Sequence, residues 1–456
     1  MIKLHFLGGA RIVSGNSYLL ETGSKKILID CGLFQGPPGL ERKNQEPFSF
    51  NPSEIDFIII THSHLDHIGR LPMLIEDGFK GKIFATPPTK DFTYLMLEDT
   101  KKVLTEKARR GDVMMLFTES EIHQIMDLFV PIEYHKETKI SDDISFEFYE
   151  AGHILGSAII KLTLRQAQGK KLTVVFSGDL GNYPVPILRS LENIDEADYV
   201  LVESTYGDRL HEKREKTRDI IEDAVEETIT KKGVLMIPSF ALERAQQVIY
   251  DLNELVENER FQPLPIFIDS PLAIEVTKIY EKYSDYFNKE ASALIKSGDD
   301  IFKFPGLKFT PSVKESKQIS EIAPPKIIIA GSGMSQGGRI LHHELRYLSD
   351  ERNVLLMVTY QAVGTLGRQI LDGAKEVEIL DQKINIRAKI ESITGYSAHA
   401  DQKGIMNWLS SIRKPIKKIF VVQGEEKPAN VLAQLIRDNL GIQAEVPQMG
   451  EIAELE

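Results

Sequence analysis

Four side chains of the kinds that bind transition metals fall within six consecutive residues of this chain. The segment His62–His67 reads His-Ser-His-Leu-Asp-His and is separated only by Thr61 from the apolar run Phe57–Ile60. Neutral imidazoles and carboxylates are ligands that zinc takes in proteins. Since the whole chain has only eleven histidines, a chance polar turn is the weaker interpretation. The segment predicts a metal-dependent hydrolase, and alternate side chains of the loop could serve two adjacent metals.

One loop cannot supply every ligand of a two-metal site, so further ligands are expected where other strands end. His153 lies between glycines just after the predicted strand Ile144–Tyr149, and Asp179 follows the predicted strand Lys171–Phe176. Taken alone, each is equally compatible with an ordinary turn residue. Beside the histidine loop, both are predicted to be ligands, and the two oxygens of Asp179 could bridge two metals.

The elements that must position these residues change character along the chain. Up to residue 207 the pattern is one of short β-strands separated by turns. Between residues 208 and 375, helical patterns alternate with buried strands, which favours an α/β unit with a parallel sheet. β-rich segments return over residues 376–456. We therefore expect one α/β domain, formed by 1–207 and 376–456, that is interrupted by an inserted α/β domain, 208–375.

The predicted elements are short, and turns separate them. The acidic tail Glu451–Glu456 is predicted to be a frayed end. The predicted strands are Lys3–Leu7, Ser17–Glu21, Lys26–Ile29, Asp56–Ile60, Ile144–Tyr149, Ala158–Leu164, Lys171–Phe176, Tyr199–Val202, Val234–Ile237, Leu264–Ile268, Ile327–Ala330, Val354–Val358 and Lys418–Val422. The predicted helices are Lys213–Thr230, Leu242–Val256 and Pro428–Asn439.

Composition limits the class of protein. With 456 residues, of which 42% are hydrophobic and 27% charged, a soluble globular protein of two domains is expected. No run approaches the roughly 20 apolar residues of a membrane span. The single cysteine, Cys31, fits a reducing cytosol. A net charge of −12 argues mildly against binding nucleic acid by bulk electrostatics, although bound cations and a local basic cleft can hold phosphates on an acidic protein.

On these motifs the sequence resembles the metallo-β-lactamase superfamily, in particular its β-CASP branch, which includes messenger-RNA 3′-end-processing endonucleases and bacterial and archaeal ribonucleases. His62–His67, His153 and Asp179 match motifs of the superfamily. Glu203 in Glu-Ser-Thr-Tyr-Gly and His399 in Ser-Ala-His-Ala-Asp resemble two signatures of the branch. Other similar segments are Pro238–Ala241, Asp269–Ala273, Gly331–Met334 and Gly364–Arg368. The resemblance implies an αββα sandwich interrupted by a β-CASP α/β domain with a mainly parallel sheet.

The resemblance also implies a ligand set for two zinc ions. One zinc would be held by His62, His64 and His153, the other by Asp66 and His67, and Asp179 would lie between them. A metal-activated water would attack the phosphorus of RNA, and Asp66 could orient that water or accept its proton.

Other residues take roles in catalysis and substrate binding from the same resemblance. His399, held by Glu203, would be the general acid for the leaving 3′ oxygen. Substrate phosphates would meet residues of the cleft between the two domains. The candidates are Ser397, Gly331, Ser332, Gly333 and Arg368. The glycine-rich segments are equally compatible with tight turns between strand and helix.

Position 423 departs from the pattern of the family. Where the family presents a histidine in Val-His-Gly-Glu, this chain has Val422-Gln423-Gly424-Glu425, and no histidine follows His399. A carboxamide is neutral and a poor zinc ligand, so we predict a tight first zinc and a second that is weak, exchangeable or missing. A natural altered-metal or low-activity enzyme, an introduced substitution and a pseudoenzyme all fit this change. The pseudoenzyme is placed third because the other ligand positions, Glu203 and His399 are intact.

These residues together predict a zinc-dependent ribonuclease, cleaving internally or from the 5′ end, that acts on single-stranded RNA in the cytoplasm. One alternative is a metal-dependent hydrolase of small thioesters or lactones, against which the inserted domain and the pair Glu203 and His399 both argue. Another is a catalytically impaired RNA-binding protein, and a third is a DNA nuclease of the same branch. A homodimer is expected from the resemblance alone.

Overall fold

The computed structural model describes residues 2–109, 114–165, 170–182, 184–211, 214–362, 364–393 and 395–456. The chain divides into two compact units. Unit 1 comprises Met1–Val185, Arg189–Leu210 and His399–Glu456, and unit 2 comprises Pro186–Leu188 and His211–Ala398. The predicted insert, 208–375, thus begins close to where the main segment of unit 2 begins. It ends earlier, because residues 376–398 are part of unit 2.

The strands and helices are numbered in chain order. The strands are β1 (Ile2–Gly8), β2 (Ser17–Glu21), β3 (Lys26–Ile29), β4 (Phe57–Ile59), β5 (Lys82–Ala85), β6 (Phe129–Pro131), β7 (Thr138–Lys139), β8 (Ile144–Glu150), β9 (Ala158–Arg165), β10 (Lys171–Phe176), β11 (Tyr199–Glu203), β12 (Val234–Pro238), β13 (Ile266–Asp269), β14 (Leu307–Phe309), β15 (Lys326–Ala330), β16 (Val354–Met357), β17 (Glu376–Ile379), β18 (Gln382–Asn385), β19 (Lys389–Ser392), β20 (Lys418–Val422), β21 (Ala444–Glu445) and β22 (Ile452–Leu455). The α-helices are α1 (Pro38–Glu41), α2 (Leu65–Ile68), α3 (Met73–Glu76), α4 (Pro87–Arg109), α5 (Glu119–Asp127), α6 (Arg214–Lys231), α7 (Arg244–Glu257), α8 (Pro271–Lys282), α9 (Lys289–Lys296), α10 (Val313–Gln318), α11 (Ile340–Tyr347), α12 (Leu366–Leu371), α13 (Gln402–Ser410) and α14 (Glu426–Leu440).

Unit 1 is a sandwich of two sheets with helices on both outer faces. In its described residues, one sheet has the order β22-β1-β2-β3-β4-β5-β6 and the other β21-β20-β11-β10-β9-β8-β7. Alternate residues of both sheets, such as Phe6 and Phe148, form the buried core between them. A second core joins Ile58 of the first sheet to helices α2–α5, and a third joins Val421 of the second sheet to α13 and α14. This arrangement is the αββα sandwich that the family resemblance implies.

The register of the strands determines which loops meet at one edge of unit 1. In the second sheet, β10, β11 and β20 are parallel neighbours, so their carboxyl ends share an edge. In the first sheet, β3, β4, β5 and β6 are parallel as well. Side chains at the carboxyl ends of parallel strands are the usual source of binding sites in such sheets.

Unit 2 contains a sheet of order β14-β13-β15-β12-β16-β19 in which every neighbouring pair is parallel. Its central strands, such as β12 and β15, are buried at every residue, as expected for strands covered on both faces. This confirms the expected α/β unit with a mainly parallel sheet. The antiparallel pair β17 and β18 and the edge strand β19 also belong to unit 2, although the sequence pattern placed them in the other domain.

Two further features of the fold differ from the sequence predictions. The tail is not frayed, because β22 pairs with β1 and buries Leu455 in the core of the sandwich. The segment up to residue 207 contains helices α1–α5 as well as strands, and α4 alone runs for 23 residues. The predicted helix Lys213–Thr230 corresponds to α6, while Lys213 itself lies outside the described residues. Among the described residues, no helix has the length and apolar character needed to span a membrane.

Candidate metal centre

The predicted ligands come from different strands of unit 1 and reach the same end of its sandwich. The segment His62–His67 runs from the end of β4 into α2, and His153 lies in the turn between β8 and β9. Asp179 follows β10, Glu203 is the last residue of β11, and Gln423 follows β20. Because β10, β11 and β20 are parallel neighbours, these three residues emerge side by side.

Three imidazoles and one carboxylate form a compact group of donor atoms. His64 Nδ1 lies 3.1 Å from His62 Nε2 and 3.1 Å from His153 Nε2. Asp179 Oδ2 lies 3.4 Å from His62 Nε2 and 3.3 Å from His153 Nε2. A regular tetrahedron of ligands with metal bonds of about 2.0–2.1 Å has edges of about 3.3 Å. The four residues therefore fit a single tetrahedral metal ion.

Burial and the neighbouring charges together set the protonation states of the donor atoms in this group. His62 and His153 are fully buried, and Asp179 is nearly so. Burial lowers the pKa of His64 and His153 well below the ordinary histidine value, so both imidazoles are neutral. Burial alone would raise the pKa of Asp179, but the surrounding histidines, His67 foremost, hold it well below its usual value. His64 and His153 thus present neutral nitrogen lone pairs, and Asp179 presents an ionised carboxylate.

A second group of donors lies on the other side of Asp179. His67 Nε2 is 3.3 Å from Asp179 Oδ1 and 3.8 Å from Asp66 Oδ2. Burial alone would lower the pKa of His67, but Asp179, and after it Asp30 and Asp66, raise it well above its usual value. This half of the site therefore attracts positive charge, and its carboxylates could share a cation with His67.

Asp30 orients His67 from behind. Its Oδ2 lies 2.7 Å from His67 Nδ1 and accepts a 2.8 Å hydrogen bond from the Thr61 hydroxyl, while its Oδ1 accepts from the Thr61 amide at 2.8 Å. A proton held on Nδ1 by a carboxylate leaves Nε2 to face the site. The sequence analysis missed Asp30, although its position at the end of β3, one strand from the histidine loop, was the available signal.

Gln423 occupies the place of a further ligand in this second group. Its side chain is buried, with Nε2 donating to Asp179 Oδ1 at 2.7 Å and lying 3.2 Å from His67 Nε2. Its backbone has a φ of +51° and is held by Gly9, whose carbonyl accepts from the Gln423 amide, and by the Thr205 hydroxyl. The side chain therefore points into the site, but in this orientation it presents an amide donor and not a metal ligand.

A second carboxamide, that of Asn16, lies in the same half of the site. Asn16 Nδ2 is 2.9 Å from His67 Nε2 and 3.5 Å from Asp66 Oδ2, and the Tyr18 hydroxyl donates to its Oδ1 at 3.4 Å. Its backbone amide also donates to the Asp66 carbonyl at 2.8 Å. The sequence analysis did not identify Asn16, because a single asparagine in a glycine-rich turn before β2 carries no distinctive pattern.

Glu203 and His399 form a pair beside the first group. His399 Nδ1 lies 3.0 Å from Glu203 Oε2 and 3.7 Å from Asp179 Oδ2. Glu203 is fully buried, and its Oε1 accepts from the Leu180 amide at 2.6 Å. Burial alone would lower the pKa of His399, but Glu203, followed by Asp179, raises it to about 9. His399 keeps 22% of its side chain exposed, so a proton carrier lies at the surface of the site.

Close backbone contacts hold the loops of the site together. A Cβ atom on Gly181 would lie 1.9 Å from the Gly152 carbonyl oxygen, and Gly181 forms a backbone bridge with His399. A Cβ atom on Gly32 would lie 1.6 Å from the carbonyl oxygen of Asp66. Glycine is therefore required where the loop of Asp179 meets those of His153 and His399, and where the histidine loop meets the segment after β3.

The predicted substrate-binding residues lie in unit 2 and not in this group. Gly331–Gly333 follows β15, and Arg368 lies in α12, where its Nε donates to both oxygens of Asp372 at 2.9 Å. Gly367, next to Arg368, donates its amide to the Met334 carbonyl at 3.2 Å, so these two predicted elements are neighbours. Ser397 is also a residue of unit 2.

Three family models match the chain over most of its length. The metallo-beta-lactamase superfamily matches residues 10–226, the Beta-Casp domain residues 245–370, and the Zn-dependent metallo-hydrolase RNA specificity domain residues 383–447. The first two models match consecutive segments of the chain. Together with the histidine loop and its partners on neighbouring strands, they define the class of protein as a metallo-hydrolase.

Curated relatives narrow the class to a family. A ribonuclease of Thermus thermophilus is 37% identical over 94% of both chains, and an RNase J-like protein of Methanocaldococcus jannaschii is 33% identical over 99% of both. The transcription termination factor FttA of Methanocaldococcus jannaschii is 30% identical over 98% of this chain and 70% of its own. A solved Enterococcus faecalis protein of unknown function shares the fold, with a TM-score of 0.57 at 12% identity over the whole of both chains. The chain belongs to the β-CASP branch of the metallo-β-lactamase superfamily, a branch of RNA-processing nucleases.

Proposed function

We propose that this chain is a zinc-dependent ribonuclease that hydrolyses the phosphodiester bonds of single-stranded RNA. The observation that carries the proposal is the buried group of donor atoms from His62, His64, His153 and Asp179, spaced 3.1–3.4 Å apart along the measured edges. The matched RNA specificity domain of zinc-dependent metallo-hydrolases and relatives named as ribonucleases support RNA as the substrate and zinc as the metal.

The first group of donors would hold the tighter zinc. When bound, zinc supplies Lewis acidity, which lowers the pKa of water from about 15.7 to about 7 and offsets the charge of phosphoryl oxygens. His62, His64 and His153 would hold the ion, and Asp179 would turn its second oxygen, Oδ1, toward His67. Because most of these ligand side chains are buried, the chain would contribute a fixed set of lone pairs to metal binding.

The second group would hold a weaker ion. Asp66, His67 and Asp179 remain as ligands, whereas Gln423 places an amide donor 2.7 Å from Asp179 Oδ1. That hydrogen bond competes directly with a cation for the carboxylate oxygen. Rotating the amide by 180° would present a neutral oxygen, which is a poorer zinc ligand than imidazole. We therefore infer that the second ion exchanges readily or is absent at low zinc concentration. Asp66 would also orient the attacking water.

His399 would act as the general acid. Its contact with Glu203 through Nδ1 fixes the ring, and its partial exposure lets the opposite edge meet a substrate. A proton donated to the leaving 3′ oxygen would avoid the release of a strong alkoxide base. Glu203 would act through His399 and is therefore a positioning residue. The Leu180 amide, which donates to Glu203 Oε1 at 2.6 Å, fixes this carboxylate in turn.

Residues of unit 2 would contribute contacts to the RNA backbone. The Gly331–Gly333 segment leaves a strand of the parallel sheet and carries side chains too small to cover its own amides, apart from Ser332. Arg368 lies in the neighbouring helix, and its guanidinium group is partly exposed beside Asp372. Backbone amides and guanidinium groups are common phosphate donors, and we assign these residues, with Ser397, to substrate binding.

A comparison of substrates tests this function. Labelled single-stranded RNA, a DNA of the same sequence and a thioester would each be incubated with the purified chain, with and without a chelator. We expect cleavage of the RNA only, lost on chelation and restored by zinc. Cleavage of RNA that survives complete removal of metal would refute the metal mechanism, and preferred hydrolysis of the thioester would point to a small-molecule hydrolase.

A catalytically impaired RNA-binding protein is the second candidate, because Gln423 fills a ligand position. Two variants separate the candidates. If the chain is an enzyme, Asp66→Asn should abolish RNA cleavage while leaving RNA binding in place. If it is only a binding protein, the unaltered chain should bind RNA without cleaving it at any zinc concentration, and Gln423→His should create activity that was absent.

A further inference from the structure

Two exposed aromatic side chains lie at one edge of the sheet in unit 2. Phe240 follows β12 and Tyr360 follows β16, and these strands are parallel neighbours in the register Leu235 to Val354. Both segments therefore leave the sheet at its carboxyl edge, almost level with each other. Phe240 is 42% exposed and Tyr360 is 60% exposed. Among the described residues, the only other large aromatic side chain exposed to this degree is Tyr94 in unit 1.

The two segments are held against a single glycine. A Cβ atom on Gly333 would lie 3.2 Å from Cδ2 of the Phe240 ring, 3.0 Å from the Phe240 amide nitrogen and 3.1 Å from Cγ2 of Thr359. The Gly333 carbonyl accepts hydrogen bonds from the Thr359 hydroxyl at 2.6 Å and from the side-chain amide of Gln361, through Nε2, at 2.9 Å. Gly333 thus lies between the segment that carries Phe240 and the one that carries Tyr360, and it binds to residues on both sides of Tyr360.

The backbone of Phe240 is fixed although its ring is exposed. Its carbonyl accepts from the Ser239 hydroxyl at 3.0 Å and from the Ala245 amide at 3.2 Å, at the start of α7. An exposed ring on a fixed backbone loses little conformational freedom when a flat partner binds to it. Exposing apolar rings to water is costly. Two exposed rings at the same edge of a parallel sheet therefore indicate a binding surface rather than exposure without a function.

Groups of the kinds that bind phosphates in other proteins lie next to this surface. The Gly331–Gly333 segment forms part of it, and Gly367 packs on Gln361, where a Cβ atom would lie 1.9 Å from Oε1. Gly367 precedes Arg368, whose guanidinium group is partly exposed. Aromatic rings beside phosphate donors match the repeat of a nucleic acid strand, whose bases and phosphates alternate.

We propose that Phe240 and Tyr360 form a stacking platform for unpaired bases of the RNA substrate, an inference that rests on the proposed ribonuclease function. Every base has a flat face, so the platform selects unpaired bases with little regard for sequence. Bases within a duplex are already stacked and paired, and they do not offer that face. The platform therefore accounts for a preference for single strands without a base-reading pocket.

Binding measurements on the intact chain test the platform. The probe is a fluorescein-labelled oligoadenylate with phosphorothioate linkages, which resists hydrolysis, and zinc is present throughout. Phe240→Ala and Tyr360→Ala should each weaken binding by about 5- to 100-fold. Phe240→Trp and Tyr360→Trp retain a flat ring and should bind close to the unaltered chain. Tyr94→Ala removes an exposed ring elsewhere and should bind normally, while urea unfolding curves check that every variant is folded.

A second probe assigns the loss to the bases. The same phosphorothioate backbone with abasic riboses should bind the unaltered chain more weakly than oligoadenylate. The double variant Phe240→Ala with Tyr360→Ala should bind both probes equally. Equal binding of oligoadenylate by the unaltered chain and the double variant would overturn the platform, and an equal loss with Tyr94→Ala would do so as well. Continued zinc-dependent cleavage by the unaltered chain would leave the ribonuclease function standing, whereas a chain that neither binds nor cleaves RNA would overturn both.

Discussion

Gln423→His is the substitution that most directly tests how the two halves of the metal centre differ. Both side chains end in a nitrogen three bonds beyond Cβ, so imidazole Nε2 can reach the position of Gln423 Nε2. That position is 2.7 Å from Asp179 Oδ1 and 3.2 Å from His67 Nε2. The backbone φ of +51° at this residue is compatible with histidine, which is among the residues enriched in the left-handed region. The exchange should therefore add a ligand without moving the loop.

The size of the effect follows from the contacts that change. The substitution removes an amide that donates to Asp179 and adds a nitrogen lone pair beside Asp179 and His67. Loss of a residue that merely supports a ligand typically costs about 10- to 100-fold in metal affinity, so the gain of a ligand should be at least of this size. In free energy this is about 1.4–2.7 kcal/mol or more for the second ion.

Metal binding, not activity, is the readout for this prediction. Calorimetric titration of the metal-free chain with zinc should show one tight site in the unaltered chain and two in Gln423→His. Gln423→Met is the matched control, since it preserves the length of the side chain without supplying a nitrogen or oxygen ligand, and it should retain one tight site. Two equally tight zinc sites in the unaltered chain, or no gain in Gln423→His, would refute this account of the second group.

Three further predictions concern the general acid, a buried carboxylate of unit 2 and the loop contacts of the site. Glu203→Gln should reduce kcat for RNA by about 10²- to 10⁴-fold with unchanged zinc content, and lost zinc or unchanged kcat would contradict its positioning role. Asp269 is fully buried, and its carboxylate lies 2.7 Å from both His343 and Arg339, which lower its pKa to about 2. The ionised carboxylate therefore stabilises the fold by about 2 kcal/mol above about pH 4, and this stabilisation is lost as the pH falls from about 4 to 2. The difference in urea stability between the unaltered chain and Asp269→Asn should shrink over that range, and a constant difference would argue against it. Gly181→Ala would place a Cβ atom 1.9 Å from the Gly152 carbonyl oxygen and should cost about 1–3 kcal/mol of stability. Gly23→Ala is the control, because a Cβ atom there has nothing within 4 Å, and it should be neutral. Equal stability of the two variants would show that the loops adjust freely.

The residues of the site were predictable from the sequence where a local pattern marked them. The apolar run that becomes β4 ends two residues before His62, and Asp179 and Gln423 follow the strands Lys171–Phe176 and Lys418–Val422, whose bounds in the structure are those predicted. A parallel arrangement of those strands then brings their ends together without any further information. Asn16 carries no such pattern. Asp30 does follow the predicted strand Lys26–Ile29, but the roles of both residues depend on contacts with Asp66 and His67, which are 50 and 37 residues away from them in the chain.

The parts of the fold that the sequence analysis missed depend on long-range pairing. The tail looked too acidic to fold, but β22 needs only alternate apolar residues to add to the edge strand β1, and Leu455 supplies the buried position. Strand β19 joins β16 in the sheet of unit 2, and no local feature distinguishes it from a strand of unit 1. Helix α4 has a mixed surface with only part of its length buried, which weakens the helical periodicity from which it could have been predicted.

The surroundings of Gln423 argue that the substitution alters the metal and not the architecture. Asp30 still orients His67 Nδ1, and Thr205 and Gly9 still hold the backbone of residue 423 in the conformation that aims its side chain at Asp179. An amide that donates a single hydrogen bond does not need its side chain to be held in one direction by such contacts. A metal ligand does need that orientation. A chain that had lost the need for a second ion would not be expected to retain this support. We therefore expect the second group to bind a metal ion with reduced affinity, so that the concentration of that ion would control how often both ions are present.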